Sequence, residues 1–249
     1  MKSIFLTTAI VLCFVLQSRS QGRIDPQVFP YAYVVKLKTY SMGSKSYNHG
    51  TGVVINRNSI ITNAHNVFEK DSIIIISGYG GKDSTKIHSV SVSVKKDKNA
   101  FYPSEYDENE SQFDYAVVKY ADEQFFDNIF RQSNNRQLEL QKLSFADLDT
   151  IHIAGYPYYR WFERFIKDRT KGELQIANAT DKKEILDDNI VLQYKLGTRK
   201  GSSGSPLWVV RDGRCILTGI HRSGFGSSNA GILYNLDAIA QINKWISIQ

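Results

Sequence analysis

The sequence predicts an all-β protein with two six-stranded antiparallel β-barrels and a C-terminal α-helix. From Tyr31 to about Tyr120, short β-rich runs alternate with clusters of turn residues. This rhythm stops between residues 121 and 148, and a second strand-rich block runs from Ile151 to about Leu236. The 249 residues allow one large domain or two, and two barrels fit that length.

Each element has its own pattern in the sequence. The β-rich runs of the first block are Ala32–Leu37, Gly52–Ile55, Ile73–Ile76, Val90–Val94 and Tyr115–Tyr120. Residues 121–148 are rich in Gln, Asn and Asp, which predicts a connection with about one helical turn. Apolar residues three and four apart in Leu236–Ile246 predict an amphipathic helix packed on the second barrel. We therefore expect a first barrel at 24–120, a connection at 121–148 and a second barrel with the helix at 149–249.

The N-terminus has the pattern of a secretory signal peptide. Lys2 precedes an apolar run from Ile4 to Leu16, and residues 18–20 read Ser-Arg-Ser, a small-x-small cleavage pattern. The apolar run is too short for a membrane span, and no later stretch approaches the roughly 20 apolar residues that a span needs. We expect residues 1–20 to be a signal peptide, residues 21–23 a short propeptide, and the mature protein to be secreted.

Charge and cysteine content exclude several functions. The formal charge of +6 falls to +4 when Lys2 and Arg19 leave with the signal peptide, and no basic patch or nucleic-acid-binding module is recognisable. Cys13 also leaves, so Cys215 remains alone, without an intramolecular disulfide and in an apolar run typical of a buried residue. The histidines have no metal-ligand spacing. We expect no metal, no cofactor, no nucleic acid and no membrane span.

The most informative motif is Gly-Ser-Ser-Gly-Ser-Pro at residues 201–206. Flanking glycines allow a tight turn that presents the Ser203 hydroxyl, with the amides of Gly201 and Ser203 directed into one small cavity. Such a turn is common as simple punctuation of the chain. Two segments upstream favour a catalytic role for Ser203 instead.

The first of these segments, residues 59–66, places His65 directly after an apolar strand-like run, and the second places Asp114 at the start of another. A serine hydroxyl is a poor nucleophile at neutral pH, so an imidazole must accept its proton and return it to the leaving amine. A carboxylate on the other ring nitrogen fixes the tautomer and stabilises the imidazolium. We predict a catalytic Ser203, His65 and Asp114, with the oxyanion held by the Gly201 and Ser203 amides.

The order His, Asp, Ser along the chain resembles that of chymotrypsin-fold serine endopeptidases, and more closely the glutamyl endopeptidase and exfoliative-toxin branch. The resemblance covers nearly the whole mature chain, from about Tyr31 onward. Its segments are residues 51–55, 153–157, 194–198 and 218–221. Digestive members usually have a cysteine directly after the catalytic histidine, where this chain has Asn66, and this difference favours the glutamyl branch.

The resemblance also implies a specificity site. Thr198 and His221 match positions that line the glutamate-binding pocket of the similar enzymes, and a carboxylate needs donors and preferably positive charge. His221 supplies both if it is protonated. Arg222-Ser223-Gly224 departs from the Trp-Gly-Gly of the similar enzymes, and a core histidine on a strand is the alternative for His221. A trypsin-like preference for Lys or Arg would need an acidic residue just upstream of Ser203, where Thr198, Arg199 and Lys200 stand.

Maturation follows from the same resemblance. Arg23-Ile24 is similar to the basic-apolar junction at which chymotrypsin-like zymogens are cut, so Ile24 is the expected functional N-terminus. Its amine is expected to complement His221 electrostatically, and an inert terminus is the alternative.

We therefore expect a secreted, monomeric serine endopeptidase that acts on proteins or peptides. Its expected mechanism passes through an acyl-enzyme, with a preference for Glu or Asp on the acyl side. The alternative is a catalytically inactive homologue that serves as a binding or toxin-like module.

Overall fold

The computed structural model describes residues 24–107, 111–148, 150–158, 174–179, 184–186, 191–195, 198–225 and 228–248. The expected signal peptide, residues 1–20, and propeptide, residues 21–23, lie outside the described residues. So do residues 196 and 197 of the segment before Ser203. Within the described part of the chain, no helix is long and apolar enough to span a bilayer.

The first sheet forms from strands between residues 34 and 119. They are β1 (Val34–Tyr40), β2 (Tyr47–Asn56), β3 (Ser59–Thr62), β4 (Ser72–Ser77), β5 (His88–Ser93), β6 (Ala100–Phe101) and β7 (Ala116–Lys119). They pair antiparallel in the order β5-β4-β1-β2-β3-β7-β6. All five predicted runs of this block lie in or overlap these strands.

The second sheet contains the remaining strands. They are β8 (Glu139–Leu140), β9 (Ile151–Gly155), β10 (Gln175–Ala179), β11 (Glu184–Leu186), β12 (Val191–Tyr194), β13 (Pro206–Arg211), β14 (Arg214–Phe225) and β15 (Ser228–Leu233). Seven of them pair antiparallel in the order β10-β9-β13-β14-β15-β12-β11, and β8 pairs parallel with β14. The all-β, two-barrel fold class is confirmed, with sheets of seven and eight described strands instead of six each.

The connection between the sheets contains more helix than the sequence suggested. Helix α1 (Glu123–Gln132) has ten residues where about one turn was predicted. Asp122 caps it by accepting a hydrogen bond from the Phe125 amide at 2.9 Å. Its apolar face buries Phe125, Phe126, Ile129 and Phe130. Burial of these large side chains outweighs the polar composition of the segment.

The predicted C-terminal helix is present as α2 (Leu236–Ser247), but it packs on the first barrel. Trp245 stacks on Phe101 of β6, and the Tyr115 hydroxyl donates to the Gln241 side chain at 2.5 Å. Lys119 of β7 donates from Nζ to the carbonyl of Ile246 at 2.9 Å. The expected packing on the second barrel is therefore wrong, because the aromatic side chains that complement the helix belong to the first.

The buried side chains of the described residues form three hydrophobic clusters, two of which combine residues of both sheets. The largest cluster combines strands of the first sheet and both helices with residues of β14 and β15, such as Leu217 and Ile232. A smaller cluster joins Val34 of β1 to Tyr156 and Trp208 of the second sheet. The two sheets are therefore packed against each other, with β1 of the first beside β9 of the second.

Candidate active site

His65 and Asp114 are held together beside the end of strand β3 and the start of strand β7 in the first barrel. Strand β3 ends at Thr62, and His65 lies in the short 3₁₀ turn Ala64–Asn66 that follows. The Nδ1 atom of His65 lies 2.7 Å from Oδ2 of Asp114, and the His65 backbone amide donates to Oδ1 at 2.9 Å. Both carboxylate oxygens thus bind the same residue, which fixes the orientation of the ring.

Asp114 is fully buried and lies two residues before the first residue of β7. The Asn63 side-chain amide donates to its backbone carbonyl at 2.8 Å, and Arg222 Nε donates to Oδ2 at 3.1 Å. Removing a carboxylate from water is costly unless donors replace the lost water. Asp114 has three such donors in His65 and Arg222.

Ser203 lies in the turn before β13, where two glycines have positive φ angles. Gly201 has φ +92° and Gly204 has φ +86°, a region that other residues rarely adopt. A Cβ atom on Gly204 would lie 2.0 Å from the Thr51 carbonyl oxygen, so the turn also needs glycine for close packing. The neighbouring Ser202 and Ser205 are buried, whereas Ser203 is partly exposed.

The turn is attached to the first barrel through Thr51 of β2. The Thr51 amide donates to the Ser203 carbonyl at 2.8 Å, and its hydroxyl donates to the Gly201 carbonyl at 2.7 Å. The same hydroxyl accepts from the Tyr156 amide at 2.9 Å. One buried residue of the first barrel therefore fixes the serine turn of the second.

Asn66 provides a second attachment. Its side-chain Nδ2 donates to the Ser203 carbonyl at 3.2 Å and to the Thr62 hydroxyl at 2.9 Å. Gly50 leaves room for it, since a Cβ on Gly50 would lie 2.8 Å from the Asn66 side chain. This amide belongs to the residue that directly follows His65 in the sequence.

The amides of Gly201 and Ser203 are oriented so that they can receive a ligand. The Lys200 carbonyl accepts from the Tyr158 amide at 2.6 Å, so the Gly201 N–H of the same trans peptide points the opposite way. Within the described part of the chain, neither the Gly201 nor the Ser203 amide donates to a protein acceptor. Two such amides in one turn are suited to an oxyanion.

The Ser203 hydroxyl is bonded to β14. Its Oγ donates to the Arg222 carbonyl at 2.8 Å, and among the described residues it makes no hydrogen bond to His65. Catalytic hydrogen bonds are often incomplete in substrate-free enzymes and form in the complex. If Ser203 is the nucleophile, a rotation about its Cα–Cβ bond has to precede proton transfer to His65.

His221 lies in β14, whereas Thr198 follows β12, and their side chains bond to different residues. His221 is buried and its Nδ1 lies 2.5 Å from the Tyr194 hydroxyl, while the Thr198 hydroxyl donates to the Asn229 side chain. Burial lowers the pKa of His221 to about 3, with a smaller contribution from His65. The imidazole is neutral near pH 7 and supplies no positive charge.

The contact between His221 and Tyr194 joins two neutral groups. Burial raises the pKa of Tyr194 well above its usual value, so the phenol keeps its proton. A phenol and a neutral imidazole can each donate or accept, so the contact fits either tautomer of His221. His221 is therefore a neutral polar group and not a cation.

Sequence reasoning missed three residues at this site. Thr51 was included only in a strand, and Asn66 and Arg222 were noted only as departures from similar enzymes. For Asn66 and Arg222 the difference from similar enzymes is itself the signal that could have found them. A polar side chain placed beside the proposed triad needs a hydrogen-bond partner there.

Comparison with known protein families gives the classification. Residues 50–220, which include His65, Asp114 and Ser203, match the model of the trypsin-like peptidase domain. This chain belongs to the trypsin-like peptidase family. It is a serine endopeptidase of the chymotrypsin fold, and its substrates are proteins or peptides. No curated protein sequence matches the chain.

Several solved structures share the fold. A Glu endopeptidase in complex with MPD is 21% identical, with TM-score 0.67, over 91% of this chain and 97% of that one. A thermostable serine protease from an extremophilic microorganism is 12% identical, with TM-score 0.66, over 88% and 98%. An inactivated protease paralogue of the scabies mite is 14% identical, with TM-score 0.63, over 92% and 99%. At these identities the likeness establishes the fold alone.

Proposed function

We propose that the protein cleaves peptide bonds with Ser203 as nucleophile, His65 as general base and Asp114 as the carboxylate that orients His65. The contact of 2.7 Å between His65 Nδ1 and Asp114 Oδ2, beside the turn that exposes Ser203, carries this proposal. Because Asp114 accepts at Nδ1, the ring proton lies on Nδ1 and Nε2 is available as a base.

The reaction follows from these positions. Ser203 Oγ attacks the scissile carbonyl carbon while its proton passes to His65 Nε2, and the oxyanion is held by the Gly201 and Ser203 amides. The C–N bond then breaks as His65 returns the proton to the leaving amine. Water, activated by the same imidazole, adds to the acyl-enzyme and releases the acid product with Ser203 restored.

We further propose a preference for Glu or Asp on the acyl side. In the tautomer with its proton on Nε2, His221 offers a donor to a substrate carboxylate. Thr198, Arg199 and Lys200 place no acidic side chain just upstream of Ser203. The similarity to a Glu endopeptidase agrees with this preference. Since His221 is neutral, the charge that balances the substrate carboxylate has to come from another group, and we assign it to the amine of Ile24 after cleavage at Arg23.

Secretion is part of the proposal, since a signal peptide at residues 1–20 and removal of residues 21–23 would generate this N-terminus. Ile24 is partly buried against the cluster that contains Val34, Tyr156 and Trp208. Ile24 thus packs against a cluster that joins the two sheets.

The decisive experiment is labelling with a biotinylated fluorophosphonate, followed by mass spectrometry of the modified peptide. We expect one adduct, on Ser203, and no adduct in Ser203→Ala. Ser202→Ala is the matched control, because Ser202 is adjacent to Ser203 but buried. The Ser202→Ala protein should still be labelled on Ser203. A folded wild-type protein that takes no label would contradict the proposal and support the inactive homologue.

A peptide library tests specificity separately. Cleavage after Lys, Leu or Phe in preference to Glu would contradict the acidic pocket while leaving the triad intact. For the N-terminus, protein beginning at Ile24 should have a higher kcat/KM on a Glu peptide than protein beginning at Gln21. Equal kcat/KM values would contradict the assignment of the Ile24 amine to the specificity pocket.

A further inference from the structure

Arg222 occupies an irregular position in strand β14. His221 pairs with Gly231 and Ser223 pairs with Ala230, so the register of β14 against β15 skips Arg222. An extra residue at such a bulge is left out of the ladder, and its backbone and side chain are directed differently from those of its neighbours. The bulge thereby frees the Arg222 carbonyl for a partner outside the sheet.

Both ends of Arg222 contact the catalytic residues. Its carbonyl oxygen accepts the Ser203 hydroxyl at 2.8 Å, and its Nε donates to Asp114 Oδ2 at 3.1 Å. Oδ2 is the same oxygen that contacts His65 Nδ1 at 2.7 Å. The Arg222 side chain is 23% exposed and Asp114 is 1% exposed, so solvent screens this ion pair only weakly.

We propose that Arg222 is a positioning residue of the active site, which orients the Asp114 carboxylate through Nε and shifts the activity of the His65–Asp114 pair toward lower pH. The inference rests on the triad proposed above. The Nε atom of Arg222 contacts Asp114, and Arg222 acts on the pair through this contact.

The direction of the effect follows from the charges. A positive charge beside the carboxylate offsets part of the negative charge that stabilises a protonated His65. Removal of the Arg222 charge would therefore strengthen the stabilisation of the imidazolium by Asp114. Among the described residues, the other titratable group that acts on His65 from β14 is His221, which is neutral.

The test compares the pH dependence of kcat/KM in the wild type, Arg222→Met and Arg222→Lys. In Arg222→Met, which keeps most of the apolar stem without the charge, the midpoint of the acid limb should rise by roughly one pH unit. Arg222→Lys keeps the charge but lacks the planar donor. It should retain the low midpoint, with a plateau kcat about tenfold lower and a KM close to that of the wild type.

Arg211→Met is the matched control. Arg211 also pairs with a carboxylate, Asp147, but at an exposed position of β13, and its loss should leave the midpoint unchanged. Arg222→Gln serves as a second neutral variant if Arg222→Met does not fold, which circular dichroism and urea unfolding would reveal. An acid limb that stays in place or moves to lower pH in a folded neutral variant would overturn the inference.

The outcome is separable from that of the proposed function. If the wild type takes the fluorophosphonate on Ser203 and yet the neutral variants keep the wild-type midpoint, the triad stands and the role of Arg222 fails. If Ser203 takes no label, the triad itself fails. A non-kinetic measurement gives the same decision: the His65 ring proton, followed by NMR in a Ser203→Ala background, should titrate at higher pH with Arg222→Met than without it.

Discussion

The two barrels contribute to the site in different ways. The first barrel supplies the proposed base, since His65 and the buried Asp114 share two contacts below 3 Å. The second supplies the proposed nucleophile, whose turn is held by bonds within its own barrel, such as that of the Gly204 amide to the His221 carbonyl, and across the barrel interface by Thr51 and Asn66. Its hydroxyl also points to Arg222. The proposed base is thus oriented by contacts within the first barrel. The proposed nucleophile depends also on the packing of the two barrels and on one side-chain rotation.

The largest expected effect tests the nucleophile. Ser203→Ala should lower kcat by about a millionfold, the scale seen when a triad nucleophile is removed. Hydrolysis of a chromogenic peptide measures this loss, and urea unfolding should show a stable protein because the Ser203 side chain is partly exposed. Activity near that of the wild type would assign the attack to Ser202 or Ser205 instead.

The next effect tests the base side. Asp114→Asn should reduce kcat by about 10⁴-fold, because an amide cannot accept at both positions and favours the wrong imidazole tautomer. Steady-state kinetics at pH 7 measures it. Asp122→Asn is the control, since asparagine caps helix α1 as well as aspartate does and should leave activity intact. A loss of less than tenfold in Asp114→Asn would mean that the contact of His65 with Asp114 is not required.

The third prediction tests the attachment between the barrels. Thr51→Val keeps the shape of the side chain but leaves the Gly201 carbonyl and the Tyr156 amide without their buried partner. The free energy of unfolding should fall by about 2–4 kcal/mol. The turn would also loosen, so kcat should fall by about 10- to 100-fold, since small displacements of catalytic groups are costly.

Thr39→Val is the matched control for this change. Thr39 is equally buried in β1 of the same barrel, but its hydroxyl has no partner among the described residues. Its replacement should therefore be neutral or stabilising in urea unfolding. If Thr51→Val and Thr39→Val behave alike, Thr51 does not couple the barrels.

The difference between the barrels also explains what the sequence could predict. Strand positions and the residues His65, Asp114 and Ser203 follow from local patterns, because each stands directly beside an apolar run or a glycine turn. The bonds of Thr51 and Asn66 to the serine turn join residues more than 130 positions apart, as the sequence separations of 150 and 137 show. No local pattern encodes such contacts. The helix α2 was predicted correctly for the same local reason, and its partner was missed because the aromatic surface it covers lies on a distant strand.

The smallest expected effect concerns His221, which belongs to the second barrel and is buried in the neutral form. In the unfolded chain a histidine titrates at about 6.5, and in the folded protein burial lowers the pKa of His221 to about 3. Between these values the unfolded state binds one more proton, so the free energy of unfolding falls as the pH falls, by up to about 1.4 kcal/mol per pH unit. The full stability is therefore present above pH 6.5, and it is lost progressively as the pH falls from 6.5 toward 3.

Urea unfolding of the wild type and His221→Gln at pH 7 and pH 4.5 isolates this contribution. The wild type should lose about 2–3 kcal/mol more than the variant over this interval, because glutamine does not titrate and all other groups are shared. The difference between the two pH values is the informative quantity, since the substitution also changes packing at both. Equal losses would mean that His221 is not held neutral by burial, and a protonated His221 could then provide the positive charge that we assign to Ile24.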